Sequence, residues 1–401
     1  MKFATTINAR SLPESTDPDF EFDYVDISRV TQGVIDSEPQ AVTFGSAPSR
    51  ARRLADPGDT VVSTVRTYLR AVAEVSPTDL PQVFSTGFAV IKGRPGILDP
   101  RFLTYYLQSS PFVERVVADS VGVSYPAINA SDLAAYDFWA PNMIEQTAIA
   151  DFLDRETAQI DAMIEAQEHL LQTLINRRTA TRRRGFFTLR DMADIRPLKL
   201  LARKVSGSAF PLEEQGMQGL DLPFYKVAAL ASRDVHGVIV TESDTITSET
   251  RAKLGARMIP TGSSLMAKIG VASLLARVGV ISRDCCIDNN MVAFIPHTGV
   301  DPRFLYHTLC DIDIYPYINQ STIPYMNERA IMNAPIPLPN LAEQRRLVNK
   351  LDGELAKASA LVAETESMIF LLRERREALI TAAVSGRIDP TTGIERIEEA
   401  S

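Results

Sequence analysis

The chain has 401 residues, 45% of them hydrophobic and 23% charged, with a formal net charge of −8. This composition indicates a folded globular protein of roughly two or three domains, and its acidic balance argues weakly against nucleic-acid binding, although a binding face needs only local basicity. The three cysteines exclude a disulfide framework, and we find neither a signal-peptide core nor an apolar run near ~18 residues, so we expect a cytoplasmic protein.

Short apolar runs separated by Gly, Pro, Asp and Ser occupy the first part of the chain. Tyr24–Ile27 predicts the first strand, and the short segment before it suggests an abbreviated start of this region. Thr60–Ser63 and Phe88–Ile91 predict further strands, and Asp99 is placed to cap a helix over Pro100–Ser109. The pattern is that of a mixed α/β globule.

A second globule carries the same kinds of signal. Leu265–Ala267 and Met291–Ile295 predict strands, and Asp301 precedes a predicted helix over Pro302–Cys310. This alternation again indicates a mixed α/β globule.

A long helix without proline follows each globule, from about Ile144 to Arg184 and from about Ala342 to Val384, the second interrupted only by Gly353. Each would be roughly 60 Å long. Apolar positions in steps of four and three predict a coiled-coil seam, so pairing with each other or with partner helices is favoured over two core helices packed only on their own domains. The seam positions are Ile149, Leu153, Thr157, Ile160, Ile164, Gln167, Leu171 and Leu174 in the first helix, and Leu347, Leu351, Leu355, Ala358, Val362, Thr365, Ile369 and Leu372 in the second.

The sequence repeats itself at the scale of a domain. The matching segments are Asp99–Leu103 with Asp301–Leu305, Pro141–Gln146 with Pro339–Gln344, and Leu153–Asp154 with Leu351–Asp352. A solenoid unit has only about 20–50 residues, so this long period indicates a duplicated module. A chain with two diverged copies of one unit is suited to a partner with two related half-sites.

The long helices resemble those of a known family. Glu374–Asp389, with Ile144–Asp154 and Leu174–Arg178, resembles the conserved regions of the specificity (S) subunit of type I restriction–modification systems. The resemblance covers nearly the whole chain and is weak in the globules. It implies an α+β fold in which two mixed α/β target-recognition globules are separated by two long helices that form an antiparallel coiled coil, with a pseudo-twofold internal repeat.

The resemblance also implies a domain order and a function. The domains are target-recognition domain 1 at residues 1–140, a central conserved long helix at 141–187, target-recognition domain 2 at 188–338, and a C-terminal conserved long helix and tail at 339–401. Each globule would read one half of a bipartite site in double-stranded DNA. The helices would dock two methylation subunits, and restriction subunits would join the complex.

Basic and amide side chains in both globules are the predicted DNA contacts. Arg and Lys suit guanine or phosphate, whereas Asn and Gln suit adenine. A solvated surface charge is the competing interpretation for any one of them, and clustering at matching places, such as Arg50-Ala51 and Arg251-Ala252, favours binding. The predicted DNA-binding residues are Arg50, Arg52, Arg53, Arg66, Tyr68, Arg70, Arg251, Lys253, Arg257, Lys268, Asn289 and Asn290.

Two further features have open interpretations. The basic run Arg177–Arg184, at the end of the first long helix, is suited to phosphates, to an acidic partner surface or to the helix dipole. The loops Val123–Pro126 and Thr322–Tyr325 lie where each globule returns to its helix, and structural turns are favoured there over DNA contacts.

The exposed flanks of the long helices are the predicted docking surface for partner subunits. The predicted docking residues are Arg155, Glu156 and Glu165 in the first helix, and Glu354, Lys357 and Glu364 in the second.

We find no catalytic motif in the sequence. A Gly-rich phosphate loop and an Asn/Asp-Pro-Pro-aromatic tetrapeptide are both missing, and the four histidines have no metal-ligand spacing. We therefore expect a non-catalytic subunit of a restriction endonuclease and DNA adenine methyltransferase, with S-adenosylmethionine, ATP and Mg bound by partner subunits. The alternative is a coiled-coil interaction scaffold, such as an orphan specificity protein without a DNA-reading role; a stand-alone modification enzyme is a weaker third hypothesis.

Overall fold

The protein divides into two units, and each contains one globule with part of both long helices. This computed structural model describes residues 1–36, 38, 40–190 and 193–396. Unit 1 comprises Met1–Gln167 with Met368–Ser401, and unit 2 comprises Glu168–Ser367. Residues 397–401 of the predicted C-terminal tail lie outside the described residues.

The globule of unit 1 is built from one antiparallel and one mixed sheet, with short helices against them. Its strands are β1 Thr5–Ile7, β2 Glu21–Val25, β3 Ala41–Thr43, β4 Ala51–Ala55, β5 Thr60–Ser63, β6 Val72–Glu74, β7 Gln82–Ser85 and β8 Phe88–Gly93. Its helices are α1 Pro100–Gln108, α2 Ser110–Ala118 and α3 Ala130–Ala135, and the long helix α4 Met143–Arg190 follows. The sheets have the orders β1-β8-β5-β6 and β3-β2-β7-β4.

The prediction that Tyr24–Ile27 forms the first strand is wrong. The strand β1 precedes it and pairs antiparallel with β8, so that Thr5 lies opposite Gly93. This strand is only three residues long, too short for an alternating apolar pattern to reveal it. The start of the globule is therefore a paired sheet edge.

Unit 2 repeats this architecture. Its strands are β9 Ile195–Pro197, β10 Ala202–Ser206, β11 Leu222–Tyr225, β12 Thr245–Ile246, β13 Ser264–Ala267, β14 Val278–Val280, β15 Cys286–Ile287, β16 Met291–Pro296, β17 Ile318–Asn319, β18 Tyr325–Met326 and β19 Pro335–Pro337. Its helices are α5 Ser248–Lys253, α6 Val271–Leu274, α7 Pro302–Asp311, α8 Glu328–Ile331 and the long helix α9 Leu341–Val384. The sheet order β10-β16-β13-β14 matches β1-β8-β5-β6, and β11 with β15 forms a parallel pair as β2 with β7 does. The predicted internal repeat is confirmed.

The long helices pack against each other within unit 1. Leu153 of α4 lies in the same hydrophobic cluster as Ile380 of α9, and further along α4 the carboxylate of Asp161 accepts from Arg376 Nε at 2.8 Å. As the residue number rises on α4 it falls on α9, so the two segments are antiparallel.

Unit 2 has the same antiparallel packing. A Cβ added to Gly185 of α4 would lie 3.1 and 3.2 Å from atoms of Leu347 and Leu351 of α9, and further along the pair Leu174 lies near Leu361 in one groove. The predicted coiled-coil packing is confirmed. Most seam positions are buried, and α9 continues through Gly353 because one glycine costs only about 1 kcal/mol in a helix.

The repeated Pro-Asn segments begin the long helices. The side-chain oxygen of Asn142 accepts from the N–H of Glu145 at 3.0 Å, and that of Asn340 accepts from the N–H of Glu343 at 3.0 Å. Each asparagine thus satisfies a backbone donor that the helix itself leaves free.

A buried glutamine joins the repeated segments of unit 1. Gln146 Oε1 accepts from the N–H of Asp99 at 2.9 Å, and Nε2 donates to the carbonyls of Pro141 and Ile97 at 2.8 and 3.1 Å. The residue is 1% exposed, so water does not replace these partners.

The same contacts recur in unit 2. Gln344 Oε1 accepts from the N–H of Asp301 at 2.8 Å, and Nε2 donates to the carbonyls of Pro339 and Gly299 at 2.9 and 3.3 Å. One amide side chain therefore attaches each globule to the start of a long helix.

An ion pair completes this attachment in each unit. Arg101 donates to Asp154 at 2.6 Å, and Arg303 donates to Asp352 through two nitrogens at 2.6 and 3.2 Å. The residues of the glutamine contacts and of this ion pair together form the helix clasp, which consists of Asp99, Arg101, Gln146 and Asp154 in unit 1, and of Asp301, Arg303, Gln344 and Asp352 in unit 2.

The helix clasps differ at one neighbouring position. Tyr105 donates to Asp154 at 2.8 Å, whereas His307 Nε2 lies 2.8 Å from Asp352. Burial lowers the pKa of His307 against the opposing effect of Asp352. Burial acts to raise the pKa of Asp352, but hydrogen bonds from His307 and Arg303 outweigh it and hold that pKa below its usual value.

Replacing the clasp glutamine should destabilise its unit. Gln146→Leu or Gln344→Leu leaves a backbone N–H and two carbonyls buried without a partner, so we expect a loss of about 1–3 kcal/mol in the free energy of unfolding. Urea unfolding followed by circular dichroism measures the loss. Gln159→Leu, on the exposed face of α4, is the matched control. Equal stability of the clasp variants and the control would contradict the helix clasp.

Candidate nucleic-acid interface

The turn after β5 carries three of the predicted DNA-binding side chains. Arg66 and Arg70 flank a 3₁₀ turn and have left-handed backbone angles, φ +55° and +54°. Side chains are disfavoured there. Arg66 stacks on Tyr125, with its guanidinium carbon 4.8 Å from the ring centroid, and Tyr68 is 53% exposed.

Arg70 anchors this turn to α9. Its Nη1 donates to Glu377 Oε1 at 2.7 Å, and Ser110 Oγ donates to the same oxygen at 2.6 Å. The charge of Arg70 is therefore compensated inside unit 1, and its side chain positions the turn.

The predicted Arg50, Arg52 and Arg53 lie at the start of β4 and within it. Arg50 Nε donates to Tyr24 Oη at 2.9 Å and its guanidinium pairs with Asp26; the hydrogen bond to Tyr24 and the charge of Asp26 raise the pKa of Arg50. Arg52 stacks on an aromatic ring, and Arg53 Nε is buried with no hydrogen-bond partner among the described residues.

The connection between β7 and β8 brings two of these segments together. The N–H of Thr86 donates to the carbonyl of Arg50, and the N–H of Thr64 donates to the carbonyl of Gly87, each at 2.8 Å. Arg50 and the turn at Arg66 therefore lie at the same end of the unit 1 globule.

The equivalent connection in unit 2 joins β15 to β16 and contains Asn289 and Asn290. The carbonyl of Asn290 accepts from the N–H of Lys268 at 2.8 Å, and its amide nitrogen lies 3.4 Å from Asp288. Asn289 is exposed. The structure thus brings Lys268, Asn289 and Asn290, three of the residues predicted from the sequence to bind DNA, together at the end of β13.

Lys268 is engaged in a half-buried ion cluster. Its Nζ lies 3.1 Å from Glu328 Oε1, while Lys204 Nζ and Ser206 Oγ lie 2.8 and 2.7 Å from Oε2. Burial acts to raise the pKa of Glu328, but hydrogen bonds from Lys204, Ser206 and Lys268 outweigh it and lower the pKa to about 2. The charge of Lys268 therefore serves the fold of unit 2.

Arg251 and Lys253 lie on α5, and Arg257 follows it. Lys253 pairs with Glu214 at 2.9 Å, and this hydrogen bond raises the pKa of Lys253. The proposed match of Arg50-Ala51 with Arg251-Ala252 is wrong, because the first pair begins a strand and the second lies in a helix. A dipeptide is too short to establish an equivalent position.

Two of the predicted arginines are exposed and uncompensated. Among the described residues, no carboxylate oxygen lies within 4.0 Å of the side-chain nitrogens of Arg66 or Arg257. Sequence alone does not distinguish these two from Arg50 or Arg70, because the compensating carboxylates come from distant segments.

Beside Arg66 is an exposed apolar loop that includes Val121 and the segment Val123–Pro126, for which the sequence favours a structural turn. Val121 and Tyr125 are 81% and 61% exposed, and Val123 is fully exposed. The sequence places Pro126 and Pro324 at matching positions of the repeat, which could have indicated that the two loops are equivalent. It does not show that the loops are exposed, because exposure depends on tertiary packing.

The basic run lies inside α4 and not at its end, because the helix continues for six residues beyond Arg184. Arg177 and Arg184 line a groove between α4 and α9 in unit 2, and Glu343 and Glu354 line the same groove. The helix-dipole interpretation is therefore wrong, since the dipole acts within the last turn.

The predicted docking residues lie on the helix surfaces. Arg155, Glu165, Glu354, Lys357 and Glu364 are exposed, and the neighbouring Glu156, which accepts from Arg155, is half-buried. Glu354 and Lys357 also line the groove of unit 2.

The described part of the chain has neither a metal-binding cluster nor a membrane-spanning helix. No group of three or more His, Cys, Asp or Glu residues there is arranged to hold a metal ion, and no helix there is long and apolar enough to cross a membrane.

Comparison with known proteins identifies similar sequences. A family model described as the type I restriction modification DNA specificity domain matches residues 43–172 and 186–363. The type I restriction enzyme EcoBI specificity subunit of Escherichia coli is 35% identical over 88 residues, which cover 21% of this chain and 19% of that subunit. The match thus spans about a fifth of that relative's length.

A solved chain shares the fold, and a second solved chain matches more weakly. A chain from a structure on complex assembly and conformational transition of the type I R-M system has a TM-score of 0.64 at 22% identity, covering 95% of this chain and 97% of that one. The HsdS subunit from Thermoanaerobacter tengcongensis has a TM-score of 0.43 at 22% identity, covering 96% and 97%.

The ion cluster around Glu328 predicts a pH-dependent contribution to stability. Its folded pKa is below the ordinary value of 4.5, so the stabilisation is present above about pH 4.5 and is lost as pH falls towards about 2. Glu328→Gln should lower the free energy of unfolding by about 2 kcal/mol at pH 7, and the difference from the unmodified chain should shrink in acid. Urea unfolding across this pH range tests it, with the exposed Glu249→Gln as control. A difference that does not depend on pH would contradict the cluster.

Proposed function

This chain belongs to the family of type I restriction–modification DNA specificity domains, and we propose that it recognises a bipartite DNA site with one half-site per globule. The observation that best supports this proposal is the sheet order, which is the same in the globules of units 1 and 2. Because the two globules share one architecture but differ in their loops, they are suited to two different short sequences. The predicted basic and amide residues remain the proposed contacts, with Arg66 and Arg257 the strongest because their charges are uncompensated.

The proposed role of the long helices is to dock methylation subunits. Met163 and Met368 are 52% and 45% exposed in unit 1, while Leu361 and Leu170 are 47% and 44% exposed in unit 2. Met163 matches Leu361, and Leu170 matches Met368, at the repeat offset of 198 residues. Each unit therefore exposes the same apolar pair, which supports two equivalent docks and two methylation subunits per chain.

The dock in unit 2 has the form of a groove of about 1100 Å³ between α4 and α9. Its floor is apolar, and cations outnumber carboxylates on its rim, which suits a partner helix with an apolar face and acidic edges. Apolar side chains in the groove include Leu174, Leu347, Leu351, Ala358 and Leu361, and charged ones are Arg177, Arg184, Arg346, Lys350, Lys357, Glu343 and Glu354.

Catalysis in this proposal belongs to partner subunits. The chain would neither methylate nor cleave DNA alone; methylation subunits with S-adenosylmethionine, and restriction subunits with ATP and Mg, would supply those reactions. The second candidate, a coiled-coil scaffold or orphan specificity protein, is favoured by the exposed apolar helix surfaces alone. It predicts the same docking without salt-dependent, sequence-selective DNA binding.

Exchanging one globule should change one half of the recognised site. Replacing residues 1–140 by the equivalent globule of another specificity subunit should alter a single half-site, because the remaining globule keeps its own contacts. Methylation profiling of genomic DNA from cells that express the complex measures both halves. Replacement of residues 188–338 is the matched reciprocal exchange. A change in both halves after either exchange would contradict recognition by separate globules.

Disrupting one dock should remove one methylation subunit. Met163→Asp or Leu361→Asp places a charge in a proposed apolar contact, so a complex with two methylation subunits should lose one, and the double variant should lose both. Light scattering of the complex reconstituted with the methylation subunit of the same system measures the mass. Asn349→Asp on exposed α9 is the control. A one-to-one complex of the unmodified chain at saturating partner would contradict the two docks.

A further inference from the structure

We propose that each globule presents a rigid apolar tip to the bases of duplex DNA, and that in unit 1 this tip consists of Arg66, Val121, Val123 and Tyr125. The inference rests on the proposed function, because it names the side chains with which the first globule touches its half-site. These residues are called the unit 1 tip.

The backbone holds the unit 1 tip in place. Val121 and Ala127 exchange two backbone hydrogen bonds at 2.9 and 3.0 Å, and the N–H of Arg66 donates to the carbonyl of Pro126 at 2.8 Å. Thr67 and Ser120 add a hydroxyl contact at 2.8 Å. Both ends of the loop are therefore fixed by backbone hydrogen bonds, which limits the conformational entropy that binding would cost.

The side chains of the unit 1 tip have no role in the core. Val123 is 102% exposed and Val121 81% exposed, so neither valine stabilises the fold by burial. Rigid β-branched side chains that point into solvent from an ordered loop are suited to a surface that covers them.

Arg66 gives the unit 1 tip a positive charge. Its side chain is exposed, its guanidinium lies over Tyr125, and no carboxylate among the described residues forms an ion pair with it. The nearby Asp119 accepts from Tyr136 at 2.7 Å and lies 3.8 Å from Arg115. The cation is therefore available for a phosphate or for a guanine edge.

Unit 2 has an equivalent tip of different chemistry. The N–H of Gly270 donates to the carbonyl of Pro324 at 2.8 Å, as that of Arg66 does to Pro126. Val271, Ile323 and Tyr325 are 70%, 63% and 46% exposed. The exposed apolar character recurs, but glycine stands at the arginine position, so the two tips are suited to different base steps.

Duplex DNA explains this combination better than a protein surface does. An apolar side chain contacts the thymine methyl group or enters a base step, an aromatic ring stacks on a base, and arginine binds guanine or phosphate. A protein partner would have to bring both an apolar surface for the valines and a carboxylate for Arg66, whereas duplex DNA presents phosphates, guanine edges and thymine methyl groups side by side.

The test compares two tip variants in the full chain. Arg66→Gly introduces the residue that unit 2 has at this position and removes the left-handed strain, so its thermal unfolding should occur no earlier than that of the unmodified chain. Val123→Ser changes only a fully exposed side chain. Each chain is incubated with a library of random-sequence duplexes, and the bound fraction is sequenced. For both variants we expect one half of the enriched motif to relax, the other half to persist, and the affinity for the original motif to fall about 10- to 100-fold.

Arg94→Gly is the matched control, because it removes one exposed charge at the opposite end of β8 from the turn at Arg66. It should leave the motif unchanged. If Arg66→Gly and Val123→Ser select and bind the same motif as the unmodified chain, the unit 1 tip is refuted while DNA recognition stands. If the unmodified chain enriches no motif, the proposed function fails together with the tip.

Discussion

The buried amides of Gln146 and Gln344 constrain the arrangement of everything else in their units. Each amide bonds three backbone groups, two in the loop that leads to α1 or α7 and one just before a long helix. Moving a globule relative to its helix would leave several of these polar groups buried without a partner, which costs more than a typical hydrogen bond contributes. The helix clasp therefore also fixes, within each unit, where the loops of the globule lie relative to the long helices.

The two copies share the residues that attach the globule to its helix and differ in the residues at the tips. The helix clasp is repeated residue for residue, apart from the neighbouring Tyr105 and His307, which bond the same aspartate position in different ways. At the tips, Arg66 in one copy occupies the position that Gly270 has in the other. Holding a globule on a helix demands the same groups twice, whereas the proposed recognition of two different half-sites would demand different ones.

Several of the charged side chains predicted to bind DNA form ion pairs within their own unit. The chain is acidic overall, and several cations of the candidate interface are neutralised by carboxylates of their own unit: Arg50 by Asp26, Arg70 by Glu377, Lys253 by Glu214 and Lys268 by Glu328. These pairs order the turns that carry them. Among the predicted contacts, the arginines that are both exposed and without a described carboxylate partner are Arg66 and Arg257, and a net charge of −8 does not prevent such a local basic contact surface.

The sequence by itself determined the duplication, the Asp-Pro helix starts at Asp99 and Asp301, and the apolar seams of the long helices, because capping and seam patterns are local and periodic. The antiparallel direction of the two helices was implied only by the family resemblance, since a seam pattern does not fix the direction of its partner. Only the tertiary structure decided that β1 pairs with β8, that Arg70 bonds Glu377 across 307 positions of the chain, and that the loop at Val123 is exposed. The physical reason is that pairing, compensation and exposure depend on segments far apart in sequence, and no local spacing records which of them meet.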